Sequence, residues 1–221
     1  MRQGMIALTF DDGYKTDLTV AMQKQLDRGM EPKGTSYIIS AYTGESYLDA
    51  SEKLTLVNNG WDLQCHSHTH TLGGPDGGMT GLTAEELHQE MQNVNAHFQD
   101  DLGLPPPEHH AYPGNANNKL IRDILSLYRK SMRVGGSRFC SWSPDLTRLP
   151  CFNSEYGTNV NSLEKIKWVI DMCSKHGLYA IINFHELKDE ETVRYGQILD
   201  YMLEKKIRIA SHRELYNELI K

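Results

Sequence analysis

The sequence predicts an α/β fold in which a parallel sheet, covered by helices, closes into a barrel as a single domain over residues 1–221. Three observations carry that prediction. Strand-like and helix-like segments alternate along the whole length, the rhythm of parallel strands returned by outer helices. Two runs, residues 6–10 and 178–184, are apolar almost throughout, as suits strands buried on both faces. The 221 residues contain no linker, repeat or low-complexity tract, and seven or so continuous strand–helix units favour a closed barrel over an open sheet.

The first strand ends in Asp11-Asp12-Gly13, two carboxylates where the chain leaves the core, with a glycine suited to a tight turn. Thr16 or Asp17 can cap the next helix, which would bury Leu18, Ala21, Met22 and Leu26 and stop at Gly29. Residues 34–39 read as the second strand, 48–59 as a helix with Leu54 and Val57 inward, and 61–65 as a third strand. That strand runs into His66-Ser67-His68-Thr69-His70, followed by a glycine-rich surface loop at 73–81. Thr83 and Glu86 form a capping box for a helix whose buried stripe is Leu87, Met91, Val94 and Phe98. Pro105-Pro106-Pro107 separates it from a short strand at 110–112. A helix near 118–129, a weak strand at Arg133-Val134, and a loop from Arg138 leading to a strand at 149–152 come next. Ser162 caps a helix burying Leu163, Ile166, Ile170 and Cys173, with Gly177 as its stop. The strand at 178–184 delivers His185, and a helix at 190–204, a strand at 207–209 and a helix from Ser211 complete the chain.

A 39% hydrophobic content supports a packed core. The formal net charge of -6 offers no broad basic face, so neither nucleic acid nor an anionic membrane surface is an expected partner. No apolar stretch approaches the ~20 residues of a membrane span. Met1-Arg2-Gln3-Gly4 enters the first strand without a secretory signal, which predicts a cytoplasmic location, or a cell-envelope or extracellular one for a domain trimmed from a longer chain. Cys65, Cys140, Cys151 and Cys173 form no CxxC pair and read as buried free thiols; Cys65 stands apart because it precedes His66.

In a parallel barrel the strand exits share one rim, where active sites are built. Asp11 and Asp12, His66 and His70, Pro113-Gly114, and His185 all fall at such exits. Adjacent acids repel, so they are best tolerated where a cation divides their roles, Asp12 holding a metal and Asp11 a proton; a solvated turn is the other reading. His66 and His70 are four apart, so one helical turn would set both rings on one face. With one carboxylate they make a two-His-one-acid set of the kind that binds catalytic zinc, although an isolated pair of this spacing also occurs in ordinary loops. His68 should point away. His109 and His110, after the proline run, read as rim or solvent residues, and Trp142 as a residue that stacks on a sugar or packs on its neighbours.

Thr9-Phe10-Asp11-Asp12-Gly13 resembles the first motif of the polysaccharide deacetylases with a NodB homology domain, carbohydrate esterase family 4. His66-Ser67-His68-Thr69-His70 resembles their second, Tyr112-Pro113-Gly114 their third and Asn183-Phe184-His185 their fifth. The resemblance runs from Ile6 to the last helix and implies a distorted (β/α)7-8 barrel. It further implies one divalent metal ion on Asp12, His66 and His70, with zinc the first choice and cobalt, nickel or iron also suited to such ligands. Asp11 would be the general base and His185 the general acid. Gly114, with Tyr112 beside it, would hold the oxyanion, Phe184 would line the acetyl pocket, and Ser67 and Thr69 would support the histidine ligands. The substrate would be an N-acetylated glycan. One departure matters: the third motif commonly opens with an arginine that pairs with the base, and here the position is Ala111, leaving Arg133 or Arg138 as candidates.

The leading expectation is therefore metal-dependent removal of N-acetyl groups from an amino-sugar polysaccharide or oligosaccharide. Two others stand beside it: hydrolysis of a small non-sugar amide, as in the allantoinase-like relatives, and a non-catalytic barrel that binds glycan.

Overall fold

The strand β1 (Met5–Asp12) is buried on both faces, as its apolar run requires, and the sheet assembles around it. The structure, a computed structural model, describes residues 3–72, 78–141, 143–154 and 161–221. The other strands are β2 (Thr35–Ile38), β3 (Asp62–Cys65), β4 (His109–Ala111), β5 (Ser131–Val134), β6 (Leu149–Pro150), β7 (Phe152–Asn153), β8 (Tyr179–Phe184) and β9 (Arg208–Ala210). Their order is β6-β5-β4-β3-β2-β1-β8-β7, with β9 added on β1. Every pairing is parallel. The strands β6 and β7 are one extended stretch interrupted at Cys151; its first half pairs with β5 and its second with β8. The sheet thereby curls into a nearly closed barrel of eight parallel strands, the α/β barrel the sequence predicts.

The helices α1 (Gln23–Leu26), α2 (Ala50–Asn58), α3 (Ala84–Ala96), α4 (Lys119–Leu125), α5 (Leu163–His176), α6 (Asp189–Glu204) and α7 (His212–Leu219) cover the outside. Their starts follow local chemistry: Asp49, Thr83 and Ser211 close capping boxes, and Asn118 and Ser162 each accept one N–H of the first turn. The stripe of α5 is fully buried at Ile166, Val169, Ile170 and Cys173, and Gly177 ends the helix in the left-handed conformation (φ 66°). At about 1.5–3 kcal/mol per buried aliphatic side chain, that face is what holds α5 on the sheet.

The first helix departs from expectation. It opens with a π-helical segment, Asp17–Met22, whose wider turn rotates the residues that follow. Leu26 is consequently 40% exposed, while Gln25 is buried and donates to the Lys33 carbonyl and the Tyr195 hydroxyl. Neither expected cap acts as one: the Thr16 hydroxyl accepts the Leu187 N–H, and Asp17 accepts the Ser36 hydroxyl. His109 and His110 are not rim residues. Both are fully buried, because β4 begins at His109 and the pleat sends one ring into the barrel and the other into the outer layer. The four cysteines are buried free thiols, with Cys65 Sγ 3.1 Å from His110 Nδ1 and its thiol pushed up by burial. Of the loop at 73–81, residues 73–77 lie outside the described residues, as does Trp142; Gly78–Gly81 forms a 3-10 turn with Gly78 and Met79 buried. Among the described residues no helix is long and apolar enough to cross a membrane.

Candidate active site

Two consecutive strand residues ordinarily face opposite sides of a sheet. Asp11 shares the inward face of β1 with Thr9, and Asp12 escapes the outward face because its φ of 76° turns the backbone at the strand exit. Both carboxylates therefore line one pocket of about 190 Å³ at the C-terminal mouth of the barrel. His66, His70, Gly114, Tyr112 and His185 line it as well, brought there by the ends of β3, β4 and β8.

The two histidines are not on a helical turn. Ser67 (φ 69°) and His70 (φ 52°) are left-handed, and the segment is a tight irregular turn that still returns both rings to one point. Ser67 Oγ accepts the His70 N–H at 2.9 Å. Glu90, reaching up from α3, accepts the N–H groups of His68 (2.7 Å) and Thr69 (3.1 Å) and the Thr69 hydroxyl (2.7 Å). Ser67 and Thr69 thus shape the backbone that carries the two candidate ligands instead of bonding to their rings. His68 points away, its Nδ1 2.8 Å from Ser40 Oγ.

His66 Nε2 and His70 Nε2 lie 3.4 and 3.5 Å from Asp12 Oδ1, and the three candidate ligand atoms fall within 4.8 Å of one another. Asp12 Oδ1 is buried and has no hydrogen-bond partner among the described residues. His66 Nδ1 sits 2.8 Å from the Ala111 carbonyl, which can only accept, so in the neutral ring the proton is on Nδ1 and Nε2 is bare. The bare His66 Nε2 and the Asp12 carboxylate then face each other with His70 Nε2 beside them, an arrangement that a positive charge relieves. Protonation follows the same field. Burial opposes a charge on His66, but Asp11 and Asp12 outweigh it and raise its pKa; burial and the neighbouring His66 lower that of His70. The residues present fit a divalent cation of the zinc or cobalt kind, with two nitrogens and one oxygen.

Asp11 is held differently. Both its oxygens accept from one terminal nitrogen of Arg133, at 2.6 and 2.5 Å, across 122 residues of sequence. Asn183 Nδ2 donates to Asp11 Oδ2 at 3.1 Å and is itself oriented by the Thr9 hydroxyl, 2.8 Å from its Oδ1. Burial pushes the Asp11 carboxyl up, and the charges of Arg133, His66 and His185 more than reverse this, to about 2. Arg133 pairs in register with Ala111, so the cation absent at the third-motif position arrives from the adjacent strand. Arg138 is exposed and takes no part. His185 Nε2 stands 3.8 Å from Asp11 Oδ2.

Gly114 forms part of the wall in a left-handed conformation (φ 60°), and an added Cβ would press on Leu72 Cδ2 at 3.4 Å. Tyr112 faces the pocket with its hydroxyl donated to the Thr147 carbonyl and its N–H to the Arg133 carbonyl. Phe184 does not reach the pocket. With Asn183 inward, the pleat turns Phe184 outward, where it stacks on Phe10 at 5.2 Å and meets Tyr195 edge-on at 5.1 Å. Leu72 supplies apolar wall in its place. Sequence reasoning gave no role to Asn153, Asn183 or Glu90. Alternation back from His185 could have flagged Asn183; nothing local marks the other two.

A family model described as polysaccharide deacetylase matches residues 1–130. Among solved structures, a family 4 carbohydrate esterase from Streptomyces lividans, in complex with acetate, superposes with a TM-score of 0.67 at 18% identity, over 96% of this chain and 93% of that one. A family 4 acetyl xylan esterase from Clostridium thermocellum, in complex with a cobalt ion, gives 0.65 at 18% identity, over 96% and 90%. A pseudoenzyme of the same family from Bacillus anthracis gives 0.64 at 13% identity, over 96% and 65%. At these identities the likeness is one of fold. No curated protein matches by sequence.

Proposed function

The chain belongs to the polysaccharide deacetylase family, and on that footing we propose that it hydrolyses the N-acetyl group of an amino-sugar polysaccharide or oligosaccharide. One observation carries this reading: a three-atom cation cradle, an ionised carboxylate aimed by an arginine, and an imidazole share one pocket of about 190 Å³. Asp12, His66 and His70 would hold a divalent cation, zinc foremost, which would supply Lewis-acid polarisation of the acetamide carbonyl and a lowered pKa for bound water. Asp11, kept ionised and fixed by Arg133 and Asn183, takes the proton of the attacking water. The Gly114 N–H stabilises the developing oxyanion from the pocket wall. His185, on the Asp11 side, gives its proton to the departing amine.

The test is acetate release from N-acetylglucosamine oligomers after loading with zinc or cobalt. Turnover should vanish with a chelator and return on refilling. Asp11→Asn should keep the metal stoichiometrically bound and lower kcat by roughly 10²–10⁴-fold, the range for a lost general base. Turnover indifferent to chelation overturns the mechanism. Release from small cyclic amides alone would reassign the substrate class. A metal-loaded protein inert toward both classes would be a binding barrel.

A further inference from the structure

Next to the catalytic pocket lies a cavity of about 580 Å³, roughly three times its volume, and Asn115 lines both. The two are joined through β5: the strand that sends Arg133 to Asp11 continues through Gly135 and Gly136 into the cavity wall. Gly135 N–H donates to Asn115 Oδ1 at 2.7 Å and fastens the shared rim.

The charges in this cavity are Arg138, Arg148 and Asp145. The Asp145 carboxylate is fully engaged: Oδ1 accepts from the Thr147 N–H (3.0 Å) and hydroxyl (2.6 Å), and Oδ2 accepts from Arg148 Nε (2.8 Å). Among the described residues Arg148 commits only that one nitrogen, which leaves its terminal N–H groups uncommitted. Arg138 makes no ion pair or side-chain hydrogen bond among the described residues; its guanidinium lies 3.6 Å from where a Cβ on Gly136 would stand. Among the described residues, a chain of net charge -6 thus leaves one guanidinium without an ion pair, and the open edge of a second, in a concavity that shares Asn115 with the catalytic pocket. Guanidinium forks match planar carboxylates.

We propose that this cavity is a subsite for a carboxylate carried by the sugar unit next to the one that loses its acetyl group, which makes the substrate an acidic amino-sugar polymer. The inference rests on the proposed deacetylation and narrows its substrate class. The carboxylate has two chemical sources, a uronic acid in the chain or a carboxyalkyl ether on the amino sugar.

Four probes separate these: a tetrasaccharide alternating N-acetylglucosamine with glucuronic acid, one alternating it with its lactyl ether, and the methyl ester of each. In the zinc-loaded enzyme, kcat/KM for one acid should exceed that for its ester by about tenfold, the scale of a solvent-accessible charge-assisted contact. The excess should reside in KM and shrink in high salt. The double variant Arg138→Gln, Arg148→Gln should bring the acid-to-ester ratio close to one. Equal kcat/KM for acid and ester in both pairs, with acetate released from all four, overturns the subsite and leaves the deacetylase reading intact. If nothing is turned over, the deacetylase reading fails, and the subsite is decided by calorimetric Kd values for acid and ester on metal-loaded Asp11→Asn: a preference for the acid supports it and equality refutes it.

Discussion

The two faces of the sheet are built on opposite terms. Outward, Ile6, Leu8 and Phe10 of β1 and Ile182 and Phe184 of β8 meet the helices in one continuous apolar layer. Inward, an apolar sector of Met5, Ala7, Leu149 and Ile181 gives way to buried polar side chains on β2 to β5. Those polar groups form a column beneath the mouth. The Arg133 guanidinium stands 5.3 Å over the Tyr37 ring, which meets His212 edge-on at 5.9 Å. His212 Nε2 and His109 Nδ1 each lie 2.9 Å from the Ser131 hydroxyl. An apolar layer tolerates any repacking that conserves volume and pattern. At the top of the column Asp11 is fixed by directional bonds from Arg133 and Asn183, which leave it one position to occupy. The lumen fixes the geometry of the candidate site partner by partner, and the outer layer contributes through packing alone.

Paired substitutions test that division most severely. Arg133→Met removes the cation facing a buried carboxylate and should lower stability by about 3–5 kcal/mol, the cost of breaking a buried pair. Phe10→Ala empties a fully buried ring position in the outer layer and should cost about 3–5 kcal/mol as well. Chemical denaturation would then report similar losses. Kinetics at a temperature where both are folded should not: Arg133→Met should lose on the order of 10²-fold in kcat through a misplaced base, whereas Phe10→Ala should stay close to wild type. Equal kcat losses would erase the distinction between the faces.

Acid sharpens the same contrast. Burial, with the charges of neighbouring His212, Arg213 and Lys130 in support, holds His109 far below the ordinary histidine value; burial, with Arg133 and Arg213, lowers His212 to about 3. In the unfolded chain both titrate near ~6.5. The unfolded state therefore takes up protons first, so the stability these groups permit is complete above that value and is lost as pH falls toward the folded pKa. Each should cost about 2 kcal/mol between pH 7 and pH 5, at about 1.4 kcal/mol per unit. His212→Gln should remove about half of that combined slope in denaturation curves, and subtracting the variant from wild type cancels the contribution of the ligand histidines. An unchanged slope would mean that the lumen histidines accept protons in the folded state.

What could be read in the sequence divides along the same line. Caps and the stripes of α3 and α5 depend on neighbours three or four residues away, and Thr83, Glu86, Leu87 and Met91 announce them locally. Asp11, Asp12, His66, His70 and His185 were legible because apolar runs mark where strands end. Arg133 could be named only as one of two candidates, since its partner is 122 residues distant and the register of Ala111 with Arg133 is a property of the assembled sheet. Phe184 stands where the family resemblance puts a lining residue, but with Asn183 inward the pleat turns it into the outer layer. The i, i+4 spacing of His66 and His70 fits a helical turn equally well, and nothing in the pentapeptide declares left-handed residues at Ser67 and His70.

Glu90 tests the boundary between the two regions with the smallest expected effect. It belongs to a helix of the outer layer and is buried, yet its three hydrogen bonds among the described residues all reach the turn between the two candidate ligand histidines. It touches neither ring, so Glu90→Gln keeps the shape and removes the charge that gathers two backbone N–H groups and a hydroxyl. A site assembled on a left-handed turn needs that turn held, because relaxation at Ser67 or His70 swings an imidazole away from Asp12. Zinc affinity, measured by competition with a chromogenic chelator, should fall by about tenfold, the low end for residues that orient metal ligands indirectly. The thermal midpoint of the metal-free protein should move little. Glu90→Asp, too short to reach all three donors, should resemble the glutamine variant in affinity. A stability loss with unchanged zinc affinity would assign Glu90 to the outer layer after all, and the mouth would then owe its geometry to the lumen alone.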